Sequence, residues 1–147
     1  MSDWQRFLLE TDEQISALLA EVRTVAVLGI KTADSGRAPA YYVPEYAQRA
    51  GLRIVPVPVY FPEVTEILGE PVYRRVSDIG EAVDLVNVFR RPADLPAHLD
   101  DLLAARPRAV WLQLGIRHDA VAETLARAGI QVVQDRCLMV EMQRIGR

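Results

Sequence analysis

The sequence TVAVLG at residues 24–29 is a short apolar run, rich in β-branched side chains, that ends at a glycine. Such a run is typical of a strand buried on both faces, as strands are in a parallel sheet. Four further runs have a similar length and character. They lie at residues 52–57, 85–89, 109–114 and 130–134. We therefore predict five central strands.

Helical patterns separate these strands, except that only short turns are predicted between the second and the third. Pro39 is a typical first residue of a helix and Gly51 a typical stop, and an apolar stripe lies between them. Residues 92–105 and 118–128 repeat Leu, Val and Ala at helical spacing. Strands that alternate with helices of about three turns form right-handed βαβ units. The predicted fold class is α/β: a Rossmann-like, doubly wound, mainly parallel five-stranded sheet with helices on both faces.

Two local patterns make sharper predictions. Residues 11–14 (TDEQ) have the form of a capping box and predict a helix over residues 12–22. Pro44 should lie in the first turn of its helix, because a proline further in removes a backbone hydrogen bond. The chain, residues 1–147, is interpreted as one domain. Its parts are an N-terminal helical segment at 1–22, a core at 24–134 and a C-terminal helix at 137–145.

Composition limits the partners and the compartment. The net charge is −3, whereas proteins that bind the nucleic-acid backbone usually carry an excess of positive charge. Cys137 is the only cysteine, so an intrachain disulfide is impossible and a reducing compartment is expected. No apolar run approaches about 20 residues, and residues 1–10 lack the pattern of a signal peptide. We expect a cytoplasmic protein that binds neither nucleic acid nor membranes.

Basic residues follow four of the five predicted strands. Because the carboxyl ends of parallel strands share one edge of a sheet, these residues should form a cationic crevice for an anionic ligand. The only lysine of the chain follows the first strand, where a phosphate binder would use a cation. The basic residues are Lys31 and Arg37 after the first strand, Arg90 and Arg91 after the third, Arg117 after the fourth, and Arg136 after the fifth.

Familiar catalytic and cofactor motifs are missing from the sequence. Gly29 does not begin the dinucleotide pattern G-x-G-x-x-G, and the second strand lacks the acidic residue that NAD-binding proteins usually place at its end. His98 is interpreted as a surface side chain, His118 as a cap or surface residue, and Cys137 as a small packed residue. Metal-ligand spacing, a serine elbow and a phosphate-binding P-loop are absent. We assign no catalytic or metal-binding residue, and enzymatic activity stays open.

A family resemblance rests on a series of segments that run along the chain. They are TVAVLG, YYVPEYAQRAGLRIVPV, ILGEPVY, DLVNVFRRP, VWLQLGIRH and AGIQVVQDRCLMVE, with WLQLGIRH and DRCLMVE the most specific. The chain resembles the small stand-alone CoA-binding proteins of bacteria, which are similar to the CoA-binding domain of the succinyl-CoA synthetase α subunit. The resemblance covers about residues 22–141.

The resemblance implies a Rossmann-like domain that binds coenzyme A or an acyl-CoA. The nucleotide end would lie over the first two strands, the pyrophosphate near residues 29–31, and the pantetheine exit near residues 115–117. Lys31, Arg37 and Arg90 would neutralise phosphates, and Gly29 and Ile30 would offer backbone N–H groups. The full set of candidate cofactor-binding residues is Gly29, Ile30, Lys31, Ser35, Arg37, Pro39, Val57, Pro58, Phe89, Arg90, Arg91, Gln113, Leu114, Gly115, Ile116 and Arg117.

The sequence departs from the family pattern in two places. The relatives commonly have VNP after the second strand, where this chain has Val57-Pro58-Val59, and the first loop at residues 30–38 is about one residue longer. The phosphorylated-histidine domain and ATP-grasp partner of the synthetase have no counterpart, so ligase activity is not implied. Two alternatives stay open: a small enzyme that uses NAD(P) or an acyl-CoA, and a CoA-sensing regulatory protein with an unassigned protein partner.

Overall fold

The computed structural model describes residues 3–147, so residues 1 and 2 of the predicted N-terminal segment lie outside the described residues. Five parallel strands form the central sheet, in the order β2-β1-β5-β6-β7, and a small antiparallel hairpin of β3 and β4 follows β2. The strands are β1 (Thr24–Leu28), β2 (Arg53–Val57), β3 (Glu66–Ile67), β4 (Glu70–Pro71), β5 (Leu85–Val88), β6 (Ala109–Leu112) and β7 (Gln131–Val133).

Helices cover both faces of the sheet, which confirms the predicted doubly wound α/β fold. Apolar residues of α1, α2 and α5 pack in one core cluster with alternate strand residues, and those of α3 and α4 pack in a second cluster with the intervening ones. This two-sided burial explains why the strands are almost wholly apolar. The helices are α1 (Asp12–Leu19), α2 (Pro39–Arg49), α3 (Leu99–Ala105), α4 (Asp119–Arg127) and α5 (Leu138–Arg144).

The capping box at the start of α1 is confirmed. The Thr11 Oγ1 accepts a hydrogen bond from the Gln14 N–H at 3.2 Å, and the Gln14 Oε1 accepts one from the Thr11 N–H at 3.0 Å. The helix ends at Leu19, three residues earlier than predicted. Within residues 3–147, no helix has both the length and the apolar character needed to cross a membrane.

The helix predicted over residues 92–105 is only half α-helical. Its first part, Pro92–His98, is a 3₁₀ helix, and α3 begins at Leu99. Pro96 lies inside the 3₁₀ part, and a proline cannot donate the backbone hydrogen bond that a regular α-helix needs there. The tighter winding therefore has a local cause that the apolar spacing did not reveal.

The prediction for Pro44 was wrong. It is the sixth residue of α2, beyond the first turn, and the helix continues through it. Its missing N–H leaves the Ala40 carbonyl without its usual donor four residues later. The Lys31 N–H donates to that carbonyl at 3.1 Å instead. The proline thus allows the loop after β1 to be tied to α2.

Candidate functional site

The order of the strands fixes where a ligand can enter. The chain moves from β1 outward to β2, then returns to β5 on the other side of β1 and continues to β6 and β7. The loops after β1 and β5 therefore diverge, and such a switch point is the usual ligand crevice of an open α/β sheet. A cavity of about 350 Å³, here called the crevice, lies there. It is lined by Lys31, Ala38, Pro39, Ala40, Phe89, Arg90, Arg91, Pro92, Gln113, Leu114, Gly115 and Ile116.

The crevice brings together most of the candidate residues from the loops after β1, β5 and β6. Ser35 and Arg37 line an adjoining cavity of about 330 Å³ that shares Lys31 and Ala38 with the crevice. Arg117 lies outside both cavities. Ala38 and Ala40 were not predicted to lie at the site, since small apolar residues carry no chemical signal of their own.

Gly29 makes the turn between β1 and the crevice. Its φ is +87°, in the left-handed region that favours glycine. A Cβ at this position would overlap the Phe89 carbonyl oxygen and lie 3.1 Å from the carbonyl carbon. The Gly29 N–H donates to the Val57 carbonyl at 2.9 Å, so it is already engaged. The N–H of the next residue, Ile30, has no hydrogen-bond acceptor among residues 3–147.

Two cations of the loop after β1 have no acidic partner. In the part of the chain that the structure describes, no carboxylate oxygen lies within 4 Å of the charged nitrogens of Lys31 or Arg37. Lys31 is half-buried and Arg37 is exposed. Their charges are therefore available to an anion at the junction of the two cavities.

Arg90 is held by its neighbours on three sides. Its Nε–H donates to the His98 Nε2 at 3.1 Å, its Nη1 donates to the Tyr60 hydroxyl at 3.3 Å, and its Nη2 lies 3.7 Å from an Asp94 carboxylate oxygen. Only 14% of the side chain is exposed. Arg91, by contrast, is mostly exposed and pairs with Asp94 at 3.0 Å. Hydrogen bonding from Arg91 holds the pKa of Asp94 below its ordinary value.

His98 is not the surface side chain that the sequence suggested. It is half-buried against Arg90, and burial together with the positive charge of Arg90 lowers the pKa of His98 below its ordinary value of 6.5. The neutral ring is the form whose Nε2 can accept the Arg90 hydrogen bond. His98 thus orients a guanidinium that lines the crevice. The other histidine, His118, caps α4 as expected, its Nδ1 accepting the Val121 N–H at 3.1 Å.

Acidification should weaken the His98–Arg90 contact. The pKa of His98 is lower in the folded state than in the unfolded chain. The neutral side chain therefore contributes fully to the free energy of unfolding above pH 6.5, and this contribution is lost as the pH falls through the lowered pKa. The loss should stay below about 1 kcal/mol, since the site is partly solvated. Urea unfolding between about pH 7.5 and 5 measures it. His98→Gln keeps an acceptor for Arg90 at every pH, so an equal pH slope in both proteins would contradict the assignment.

The basic edge predicted across four strand ends is interrupted. Arg136 donates to the Glu10 carbonyl at 2.9 Å and to the Asp12 carboxylate at 3.0 Å, so it ties the N-terminal segment to the loop after β7. Arg117 pairs with Asp119 at 3.1 Å beside a separate polar cavity of about 250 Å³. The cations that line the crevice come from the loops after β1 and β5. Asp12 of the N-terminal segment and Asp119 at the start of α4 engage the two arginines that lie outside the crevice.

A buried amide pair supports the loop after β6. Gln113 is 3% exposed, and its Oε1 accepts hydrogen bonds from the Asn87 Nδ2 at 3.2 Å and from the Leu138 N–H at 3.3 Å. Asn87 was missed, although an amide inside an otherwise apolar strand was a visible signal. The Gly115 N–H donates to the Asp135 carboxylate at 2.7 Å, which fixes the rim of the crevice. Leu114, between them, is 65% exposed.

The exit of β2 offers little to a ligand directly. Val57 and Pro58 are both buried, and neither lines the crevice. The chain becomes exposed again at Tyr60, which the sequence analysis did not name. The departure from the family pattern at this exit therefore places apolar side chains in the interior.

Known proteins resemble this chain in sequence and in fold. The uncharacterized protein YneT of Bacillus subtilis is 29% identical over 127 residues, which are 86% of this chain and 90% of that protein. A solved structure from Thermus thermophilus is 43% identical, covers 92% of this chain and 99% of its own, and has a TM-score of 0.83. A hypothetical protein from Pyrococcus horikoshii OT3 is 26% identical, covers 92% of each chain and has a TM-score of 0.81.

A family model shows to which family the chain belongs. The model described as the CoA binding domain matches residues 23–143, from the start of β1 to the last turn of α5. The matched stretch contains every strand of the sheet and all the loops that line the crevice. The resemblance stated from the sequence segments is thereby confirmed, and the chain belongs to the CoA-binding domain family.

Proposed function

We propose that the crevice binds coenzyme A or an acyl-CoA. The observation that carries this proposal is a pair of cations with no acidic partner among residues 3–147: Lys31, which lines both adjoining cavities, and Arg37, which lines one of them. One end of the site therefore suits phosphate groups. The crevice beyond Lys31 is lined largely by apolar side chains, which suit a pantetheine chain. These apolar residues are Phe89, Pro92, Leu114 and Ile116.

The shape of the backbone also fits a phosphate. Gly29 keeps the turn after β1 free of a side chain, and the N–H of the buried residue Ile30 lacks a protein acceptor within residues 3–147; both residues directly precede Lys31, although neither lines the two cavities. Backbone N–H groups and cations that converge near a bare turn are typical of phosphate sites in α/β proteins. We place the pyrophosphate near residues 29–31, with Ser35 and Arg37 beside it, and the pantetheine exit near residues 115–117.

Not every candidate residue has a direct role in this proposal. Gly29 acts through its bare Cα, and Val57 through the carbonyl that accepts the Gly29 N–H. Arg90 lines the crevice, but it donates its hydrogen bonds to protein partners. It would therefore contribute positive charge to the site and few direct contacts with the ligand. Arg91 and Arg117 would act only from the rim.

We further propose that residues 1–147 act as one domain, in the cytoplasm, and bind the ligand without catalysing its reaction.

A thermal-shift screen tests the proposal. Coenzyme A at millimolar concentration should raise the melting temperature clearly, since a ligand at about 100 times its Kd stabilises by about 2.7 kcal/mol. Acetyl-CoA, NAD, NADP, ATP and buffer phosphate serve as comparison ligands. A melting temperature unchanged by coenzyme A would refute the proposal. A larger shift with NAD or NADP would favour the alternative of a small nucleotide-dependent enzyme.

A further inference from the structure

An exposed aromatic ring stands beside the crevice on the β2 side. Tyr60 follows the buried exit of β2 and is 59% exposed, and within residues 3–147 it packs against neither core cluster. Ligand sites are lined mainly by apolar and aromatic side chains, so an exposed ring beside such a site is a candidate ligand contact. The ring therefore calls for a functional explanation.

The backbone around Tyr60 is held in one shape. The guanidinium of Arg74 donates to three carbonyl oxygens of this loop: Tyr60 at 3.1 Å, Phe61 at 2.9 Å and Val64 at 2.7 Å. Phe61 has a φ of +62°, in the left-handed region that a side chain of this size seldom adopts. A strained residue kept in place by specific hydrogen bonds is typical of a functional loop.

Arg90 connects this ring with the crevice. Its guanidinium carbon lies 5.5 Å from the centroid of the Tyr60 ring, and its Nη1 donates to the Tyr60 hydroxyl. Arg90 also lines the crevice and is itself fixed by His98 and Asp94. The ring is thus anchored to the rim by a cation that cannot easily move. Arg90 is itself only 14% exposed, whereas Tyr60 is 59% exposed, so the ring keeps surface that is open to a planar partner.

We propose that Tyr60 is the stacking platform for the purine ring of the bound ligand and that Arg90 is its positioning residue. The inference rests on the proposed function and adds the residue that recognises the nucleotide end. The residues that directly follow β2, Pro58 and Val59, offer no acid or amide to the ribose or the base, and the nearest acid is Glu63, beyond Tyr60. Stacking on an aromatic ring does not require hydrogen bonds to the base, since every base offers a π face.

Fragments of coenzyme A can distinguish stacking of the purine on Tyr60 from a general effect on ligand binding. The probes are coenzyme A, adenosine 3′,5′-bisphosphate, which carries the purine, and 4′-phosphopantetheine, which does not. Tyr60→Leu should weaken the binding of the first two by about tenfold, as the loss of one stacked base predicts, and leave the third unchanged. Tyr60→Phe retains the ring and should stay within about threefold of the parent protein for all three probes.

Calorimetric titration of each probe with the three proteins decides the matter. The proposal that Tyr60 stacks on the purine would be overturned by either of two results. One is an unchanged affinity of Tyr60→Leu for coenzyme A, and the other is an equal loss of affinity for 4′-phosphopantetheine. In either case the parent protein still binds coenzyme A, so the proposed function stands. Failure of the parent protein to bind coenzyme A at all would instead remove the proposed function and the platform together. Because Tyr60 is exposed, the melting temperatures of the variants should match that of the parent protein.

Discussion

Gly29→Ala should destabilise the protein by about 3 kcal/mol, more than an alanine at any other glycine. Two costs combine at this position. The φ of +87° places any side chain in the left-handed region, and the new Cβ would overlap the carbonyl oxygen of Phe89. That carbonyl cannot simply turn away, because the Phe89 N–H donates to the Leu28 carbonyl at 2.9 Å and holds the residue against the end of β1.

Two glycines serve as matched controls in urea unfolding. Gly129 has a φ of +82°, but a Cβ added there would meet no atom within 4 Å, so Gly129→Ala should show the backbone cost alone, about 1 kcal/mol. Gly80 has neither feature, and Gly80→Ala should be close to neutral. If Gly29→Ala and Gly129→Ala lose the same stability, the close approach of β1 and the loop after β5 does not constrain this residue. Coenzyme A binding should fall in Gly29→Ala and persist in both controls.

The sheet could be predicted because its strands are buried on both faces. Such strands are short runs of apolar residues, and the sequence shows all five of them, whereas the β3–β4 hairpin between the second and third was predicted only as turns. The helices were less predictable wherever a proline intervened. Pro96 tightens the segment before α3, whereas Pro44 is tolerated in α2 because the Lys31 N–H replaces its missing donor. The second case depends on a contact between different elements, which no local pattern contains.

The candidate site was predictable only in part, for an electrostatic reason. Parallel strands bring their carboxyl ends together, so the sequence predicts which loops meet. It does not reveal which cations are already neutralised. Arg136 pairs with Asp12, 124 residues away in the chain, and Arg90 lies 3.7 Å from an Asp94 carboxylate oxygen. A basic residue after a strand keeps its charge free for an anion only if the fold leaves it without an acidic partner, as it leaves Lys31 and Arg37 within the described chain.

Replacement of both unpartnered cations should weaken coenzyme A binding by about 100-fold. Each charge-assisted hydrogen bond to a phosphate contributes about 1.5–3 kcal/mol, and about 1.4 kcal/mol is tenfold in affinity. Lys31→Gln and Arg37→Gln should each cost about tenfold and be close to additive if they contact different phosphates. Calorimetric titration at low and high salt should show a smaller salt dependence for the double variant.

The matched control is Arg49→Gln with Arg127→Gln, which removes the same two charges. Both arginines pair with a glutamate one turn away on their own helix, and neither lines the crevice or the cavity beside it. An equal loss of affinity in this control would assign the effect to net charge and contradict the site. Stability offers an independent check: because Lys31 and Arg37 have no acidic partner among residues 3–147, their loss breaks no ion pair. The double variant should therefore unfold at the same urea concentration as the parent protein while binding coenzyme A far more weakly, which is the behaviour of residues that serve a ligand and not the fold.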